Sequence, residues 1–168
     1  MAVPQVVFDR PASRLIHRSQ DVATPAKTAF SLICEVEKWP VWLSFFRSAR
    51  RIDPGRPLDV GSEIAIRSAI PGEEEELYEV DGYLDGHLLS LVGAYSVRRR
   101  FDFRVESKTE RSKIVVRIDY PTYGGVLGAL IDRMTSRRKL DIALADALVH
   151  FKGLAEYERN PRALLEDF

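Results

Sequence analysis

The chain has 168 residues, of which 45% are hydrophobic and 30% are charged, so it has the composition of one globular domain rather than of a disordered chain. Its 25 basic and 25 acidic side chains cancel, which argues against a general nucleic-acid binder. The single cysteine, Cys34, excludes an intrachain disulfide and a metal site built of several cysteines. Because residues 1–13 lack a signal-peptide core and no apolar run could span a bilayer, we expect a soluble, cytoplasmic protein without integral membrane association.

The N-terminal part is predicted to form one strand and two short helices. Residues 1–12 are typical of a short extension, and Arg14–Val22 has the pattern of a first strand. Thr24, which is followed by a proline, favours a helix start with Thr24 as the cap, and this helix should continue to Cys34. A second short helix is predicted over Trp39–Phe45.

The middle of the chain is predicted to be rich in strands. Tight turns such as Asp85-Gly86 separate short runs of alternating residues, which indicates an antiparallel sheet. The acidic run Glu73–Glu76 is expected to be a solvated strand edge. The predicted strands are Ser48–Asp53, Ser62–Ile70, Glu75–Leu84, His87–Gly93, Val97–Ser107 and Ser112–Tyr120.

One long amphipathic helix is predicted near the C-terminus, over Val126–Glu158, and residues 159–168 are predicted to form a tail. The apolar stripe of the helix consists of Leu130, Met134, Leu144, Leu148, Phe151 and Ala155. Arg137 and Asp141 interrupt this stripe. Either they border a wet pocket mouth, or the helix bends or starts later and leaves them exposed. A lone helix that covers a whole sheet predicts a hollow between the two, and therefore a binding cavity.

Strand parity assigns side chains to the two faces of the sheet, because successive residues point to opposite sides. In the last strand the inner face is predicted to carry Ile114, Val116, Ile118 and Tyr120. In the strand before it, the inner residues are Val97, Arg99, Phe101, Phe103 and Val105. In Glu75–Leu84 the predicted inner residues are Tyr78, Val80, Gly82 and Leu84, and the outer ones are Glu79, Asp81 and Tyr83.

Two groups of inner residues are candidates for a ligand site. Arg99 is either a polar group inside the cavity or, if parity slips at the strand end, a solvated residue like its two arginine neighbours. The aromatic cluster suits either a core or a pocket of sterol or polyketide size, and comprises Trp39, Trp42, Phe45 and Phe46.

Motifs of catalysis and metal binding are missing from the sequence. The three histidines, His17, His87 and His150, are far apart and have no metal-ligand spacing. There is no Gly-x-Ser-x-Gly elbow, and the glycines at 124, 125 and 128 lack the ending of a phosphate-binding loop. We therefore predict neither a metal site nor a cofactor.

Three stretches in this order give the chain a family resemblance. They are Val22-Ala23-Thr24-Pro25-Ala26-Lys27-Thr28-Ala29-Phe30, Val36-Glu37-Lys38-Trp39-Pro40-Val41-Trp42, and Gly124-Gly125-Val126-Leu127-Gly128 leading into the helix that ends at Glu156. With them the chain resembles the START-like (SRPBCC) superfamily, in its polyketide cyclase/dehydrase-like branch, over about residues 14–158. The resemblance implies one α+β helix-grip domain over residues 13–158. In this fold a curved antiparallel sheet wraps around a long C-terminal helix, and two short helices follow the first strand.

The resemblance also implies a function, since members bind lipids, sterols, polyketides, hormones or quinones, and some cyclise polyketides. The cyclases are thought to use a tyrosine and an arginine. Here the tyrosine position aligns with Phe46, and the stretch expected to carry the arginine reads Val80-Asp81-Gly82-Tyr83. Both positions depart from the cyclase pattern.

Three hypotheses follow. The first is a binder or carrier of a hydrophobic small molecule. The second is a polyketide aromatase/cyclase-like enzyme that uses Arg99, Tyr78 and Tyr120 for general acid/base assistance. The third is a protein-interaction module that uses Arg137, Arg138 and Lys139. The sequence leaves open whether the protein is a monomer or a dimer. The predicted ligand-binding residues are Trp39, Trp42, Phe46, Tyr78, Val80, Arg99, Phe101, Tyr120, Leu130, Met134, Arg137 and Asp141.

Overall fold

The structure is a computed structural model that describes residues 13–69, 74–94, 99–121 and 136–159. The predicted extension, the tail beyond residue 159, and the candidates Leu130 and Met134 lie outside these residues, as do Val97 and the predicted helix start at 126–135. Within the described part, none of the helices has the length and apolar content that crossing a membrane requires.

The sheet has seven strands, and every neighbouring pair is antiparallel. Their order is β1-β7-β6-β5-β4-β3-β2, so β2 to β7 form a meander and the first strand closes on the last. The strands are β1 (Ser13–Val22), β2 (Phe46–Arg51), β3 (Glu63–Ser68), β4 (Glu75–Leu84), β5 (Leu88–Gly93), β6 (Arg100–Lys108) and β7 (Arg111–Pro121). All the predicted strands are thus confirmed, with ends displaced by a few residues.

The described helices lie between β1 and β2 and after β7. They are α1 (Ala26–Cys34), α2 (Trp39–Trp42), which follows a 3-10 turn at Val36–Lys38, and α3, described over Ser136–Arg159. The expected N-cap of α1 is wrong: Pro25 occupies the cap position and no side chain caps the helix. The Thr24 hydroxyl instead donates to the backbone oxygen of Ala155 at 3.0 Å, because Thr24 lies against the last turns of α3.

A β-bulge in β4 reverses part of the predicted face assignment. The register shifts between Val80 and Gly82, so Asp81 is an extra residue and parity changes after it. Tyr78 and Val80 are buried as predicted, but Leu84 is exposed. Tyr83 turns inward and packs on Phe30 of α1, with ring centroids 5.8 Å apart. The predicted inner positions of Gly82 and Leu84 and the outer position of Tyr83 are therefore wrong.

The core lies between the concave face of the sheet and the helices. From the strands it receives the predicted residues Ile114, Val116, Ile118, Phe101, Phe103 and Val105. From α3 it receives Leu144, Ala147, Leu148, Phe151 and Ala155. The apolar stripe predicted for the helix is thus confirmed over its described part. This α+β arrangement is a helix-grip fold, as predicted.

Candidate ligand-binding site

Three candidate residues lie in one row across the concave face. Tyr78 on β4 pairs with Gly93 on β5, whose backbone N–H donates to the carbonyl of Arg99 at 2.8 Å. The register that pairs Arg100 with Asp119 puts Tyr120 of β7 at the level of Arg99. We call Tyr78, Arg99 and Tyr120, together with Glu76, the polar row. Because adjacent strands are about 5 Å apart, the row spans roughly 15 Å from β4 to β7.

Glu76 holds the β4 end of the polar row together. Its Oε2 atom accepts a hydrogen bond from the Tyr78 hydroxyl at 2.7 Å and lies 3.4 Å from Nη1 of Arg99. Gly93, between these strands, has no side chain, which lets Arg99 approach β4. The inward orientation of Arg99 is therefore the one observed. The side chains of Arg99 and Glu76 are 38% and 31% exposed, so the pair lies at the rim of the core.

Burial raises the pKa of the Tyr78 phenol well above its ordinary range, and the neighbouring Glu76 carboxylate raises it further. The Arg99 guanidinium acts in the opposite direction, but its effect is smaller. Tyr78 is consequently a protonated phenol at any physiological pH. In chemical terms it is a hydrogen-bond donor, and it can give up a proton only as one is replaced.

Aromatic side chains connect the polar row to the core. The Tyr78 and Phe101 rings lie 5.4 Å apart, and the Phe101 and Phe46 rings 5.5 Å apart. Phe46 stacks on Trp39 at 6.1 Å, and Trp39 contacts Phe103 at 5.2 Å. The predicted aromatic cluster is therefore a continuous layer that ends at charged groups.

The other end of this layer is a closed core. Trp42 contacts Phe103 at 6.1 Å and Phe151 of α3 at 4.8 Å, and all three side chains are buried. Trp39 donates its indole N–H to the carbonyl of Ile33 at 2.8 Å. These rings fill the space beneath the C-terminal half of α3. At the polar row, by contrast, the side chains of Arg99 and Glu76 are partly exposed.

The candidates Arg137 and Asp141 do not form an ion pair with each other. Asp141 accepts two hydrogen bonds from Arg18 of β1, one at 2.8 Å from Nε and a second from Nη2. Arg137 is exposed. The hydrogen bond from Arg18, followed by its charge, lowers the pKa of Asp141. These two candidates thus mark the seam between α3 and the edge strand β1.

A second polar cluster occupies the convex face of the sheet. Arg100 donates to Asp81 at 2.5 Å and to Asp102 at 3.0 Å, and Ser90 donates to Asp102 at 2.5 Å. Its members bond to one another, so we interpret it as a structural network. Asp81 lies on this outer face, as predicted.

Cys34 and His87 do not belong to a site in the described part of the chain. Burial raises the pKa of the Cys34 thiol to about 11, and the thiol shares a hydrogen bond with Tyr83. His87 is exposed, with Nδ1 2.9 Å from the backbone oxygen of Asp85. Among the described residues, no group of three metal-ligating side chains is placed to hold an ion.

Glu76 is the site residue that the sequence did not reveal. The acidic run was expected to be solvated, and this is correct for Glu75, which is exposed and pairs with Arg50 at 2.8 Å. It is wrong for Glu76, because Glu76 has the same parity as the inner residue Tyr78. Parity alone would have found it.

Comparison with known proteins places this geometry in a class. The fold is similar to the Zhui aromatase/cyclase from Streptomyces sp. R1128, with a TM-score of 0.72 and 14% identity over 90% of this chain and 99% of that one. It is similar to a START superfamily protein from Mycobacterium smegmatis, with a TM-score of 0.61 and 18% identity over 84% and 97% of the two chains. A Thalictrum norcoclaurine synthase mutant gives a TM-score of 0.64 and 17% identity over 90% and 99%. At such identities these likenesses establish the fold alone, which is the helix-grip fold.

Residues 14–156 match the family described as polyketide cyclase/dehydrase and lipid transport. The chain therefore belongs to that family. A search of curated proteins finds no match. The family description includes both enzymes and carriers, so the binder and the cyclase predicted from the sequence both fall within it.

Proposed function

We propose that the protein binds a hydrophobic small molecule against the aromatic layer, with a polar group of the ligand at the polar row. The observation that carries this proposal is the junction of Phe46 and Phe101 with the pair of Glu76 and Arg99. Charged groups at the edge of a core cost stability unless they have partners. Glu76 and Arg99 are partners for each other, and their partly exposed position beside the aromatic layer suits contact with a polar group of a ligand.

The ligand chemistry follows from the two halves of this site. Phe46 and Phe101 offer ring faces and edges to an apolar body such as a lipid, a polyketide or a quinone. Arg99 is a donor for a carbonyl or carboxylate oxygen, while Glu76 accepts from a hydroxyl. A ligand with an oxygen at one end and an apolar body at the other fits both halves.

Native mass spectrometry and calorimetry test this proposal with a fatty acid, a quinone and an aromatic polyketide as probes. We expect Arg99→Ala to weaken binding of an oxygen-bearing probe about tenfold, because a charged hydrogen bond contributes roughly 1.5–3 kcal/mol. Arg104→Ala is the matched control, since Arg104 is exposed on the outer face of the same strand. If no probe binds and no ligand co-purifies, the proposal is wrong. If Arg99→Ala and Arg104→Ala bind the probe with equal affinity, the ligand does not contact the polar row.

A second candidate function is a polyketide cyclase or dehydrase, and the hydrogen bond from Tyr78 to Glu76 favours it. Tyr78 would donate its proton to a carbonyl oxygen of the bound chain as the ring closes, and solvent would replace that proton through Glu76. Tyr78→Phe separates the two functions. An enzyme would lose turnover while keeping its affinity, whereas a carrier has no turnover to lose.

A further inference from the structure

A basic groove separates the edge strand β1 from the first described turns of α3. It has a volume of about 470 Å³, which is within the usual range of small-molecule sites. We call it the edge groove. Its lining includes Leu15, His17, Arg18, Arg137, Arg138 and Asp141.

The charges of the edge groove are not balanced. Three arginines face one aspartate, which leaves an excess of two positive charges with histidine neutral. The chain as a whole has no net charge, so this excess is local. Asp141 is engaged by Arg18. Neither Arg137 nor Arg138 forms an ion pair with any other described residue, and both are exposed.

The geometry of Arg18 shows that one side of the groove is rigid. Its Nε and Nη2 atoms both bond to Asp141, so the guanidinium is held in place. Arg137 and Arg138 stand one turn before Asp141 on the same helix, and no described residue bonds to their forks. Guanidinium groups are well suited to phosphate, because their planar forks offer parallel N–H donors.

The position of the edge groove separates it from the proposed ligand site. The edge groove lies along β1 and α3, whereas the polar row crosses from β4 to β7, and the two sets of residues have no member in common. Leu15 and Ile142, which flank the charged residues, are 41% and 52% exposed. A cation cluster beside exposed aliphatic side chains also fits a phospholipid headgroup.

We propose that the edge groove binds a phosphate group, carried either by a lipid headgroup or by a free phosphate compound. Arg137 and Arg138 supply the forks, and Arg18 adds a fixed positive charge. Asp141 positions Arg18. This site is independent of the hydrophobic ligand.

Two probes test the proposal: inorganic phosphate, followed by amide NMR shifts at constant ionic strength, and phosphatidylcholine vesicles with and without phosphatidylglycerol, followed by co-sedimentation. We expect R137A/R138A to weaken binding of the responding probe about tenfold or more. Rising salt should weaken it as well, because the groove is open to solvent. The control is R47A/R67A, which removes two exposed arginines from β2 and β3.

Each outcome is decisive. Saturable shifts at Arg137 and Arg138 with phosphate alone identify a free phosphate compound, while binding only to phosphatidylglycerol vesicles identifies a headgroup. The proposal is overturned if neither probe binds, or if R137A/R138A and R47A/R67A behave alike. The hydrophobic-probe titration remains a separate readout, so this failure and that of the proposed function are distinguishable.

Discussion

Trp39 and Trp42 are two buried indoles of the same core with different hydrogen bonding. Trp39 donates to the carbonyl of Ile33 near the end of α1. The buried N–H of Trp42 has no acceptor among the described residues. Replacing each tryptophan by phenylalanine therefore isolates the contribution of the hydrogen bond from Trp39 to Ile33.

We expect Trp39→Phe to lower the free energy of unfolding by about 1–3 kcal/mol more than Trp42→Phe. Both changes remove the same volume, but only the first leaves a carbonyl at the end of α1 without its donor. Urea unfolding of the two variants measures the difference. Equal losses would mean that packing alone determines both.

Glu76 and Arg99 show how far single residues could be predicted. Parity offered Arg99 as an inner polar group, with a solvated strand end as the alternative, and in the structure it pairs with Glu76 at the rim of the core. Parity also applies to Glu76, but a run of four glutamates favours the solvated interpretation. Glu76 differs from Glu75 in its partners, which are Tyr78 in the same strand and Arg99 just before β6. The contact with Arg99 is not written in local sequence.

At the scale of elements, hydrogen bonds join the end of α3 to the β1–α1 junction. Glu156 accepts from the backbone N–H of Ala23 at 2.8 Å and from Lys152, while Thr24 donates to Ala155. Ser112 of β7 donates to the carbonyl of Thr24 at 2.8 Å. These bonds fix the position of the helix along the sheet.

Glu156→Gln should lower the free energy of unfolding by about 1 kcal/mol at neutral pH. Burial raises the pKa of Glu156, but the bonds from Lys152 and Ala23 outweigh it, and the pKa falls below its ordinary value of 4.5. A lowered folded-state pKa stabilises the protein above the unfolded value, and this contribution disappears as the pH falls through the folded value. The free energies of unfolding of Glu156→Gln and of the native protein should therefore become equal at acid pH.

Thermal or urea unfolding at several pH values measures this convergence. Asp146→Asn is the control, because it removes one exposed negative charge from the same helix. A difference between Glu156→Gln and the native protein that persists undiminished in acid would contradict the prediction.

The order of elements could be predicted because hydrophobic period and turn residues are local signals. The bulge at Asp81 could not be predicted in this way. A bulge inserts one residue, and the residues on either side of it still alternate between the two faces of the sheet. The local sequence pattern therefore does not reveal where the faces are exchanged. The consequence of the bulge, the contact of Tyr83 with Phe30 of α1, depends on the register of neighbouring strands.

At the scale of the whole molecule, Phe151 connects the long helix to the short one and the sheet. Its ring contacts Trp42, which in turn contacts Phe103 of β6. Phe151→Ala should cost about 3–5 kcal/mol, because it removes a fully buried ring from a core that cannot collapse around the cavity. We expect the melting temperature to fall by roughly 10 °C.

Val149→Ala is the matched control for this change, because Val149 lies on the same helix and is 59% exposed. Its effect should stay within about 0.5 kcal/mol. Differential scanning calorimetry of both variants provides the measurement. Similar losses would mean that α3 is not held by this aromatic contact.

The aromatic layer also gives the molecule a built-in optical reporter. Trp39 and Trp42 are the only tryptophans of the chain, and both are shielded from water. Trp39 stacks on Phe46, which is one ring away from the polar row through Phe101. A compound that displaces Phe46 would change the emission of Trp39 before it reached Trp42. Its arrival could therefore be timed by stopped-flow fluorescence with no label attached.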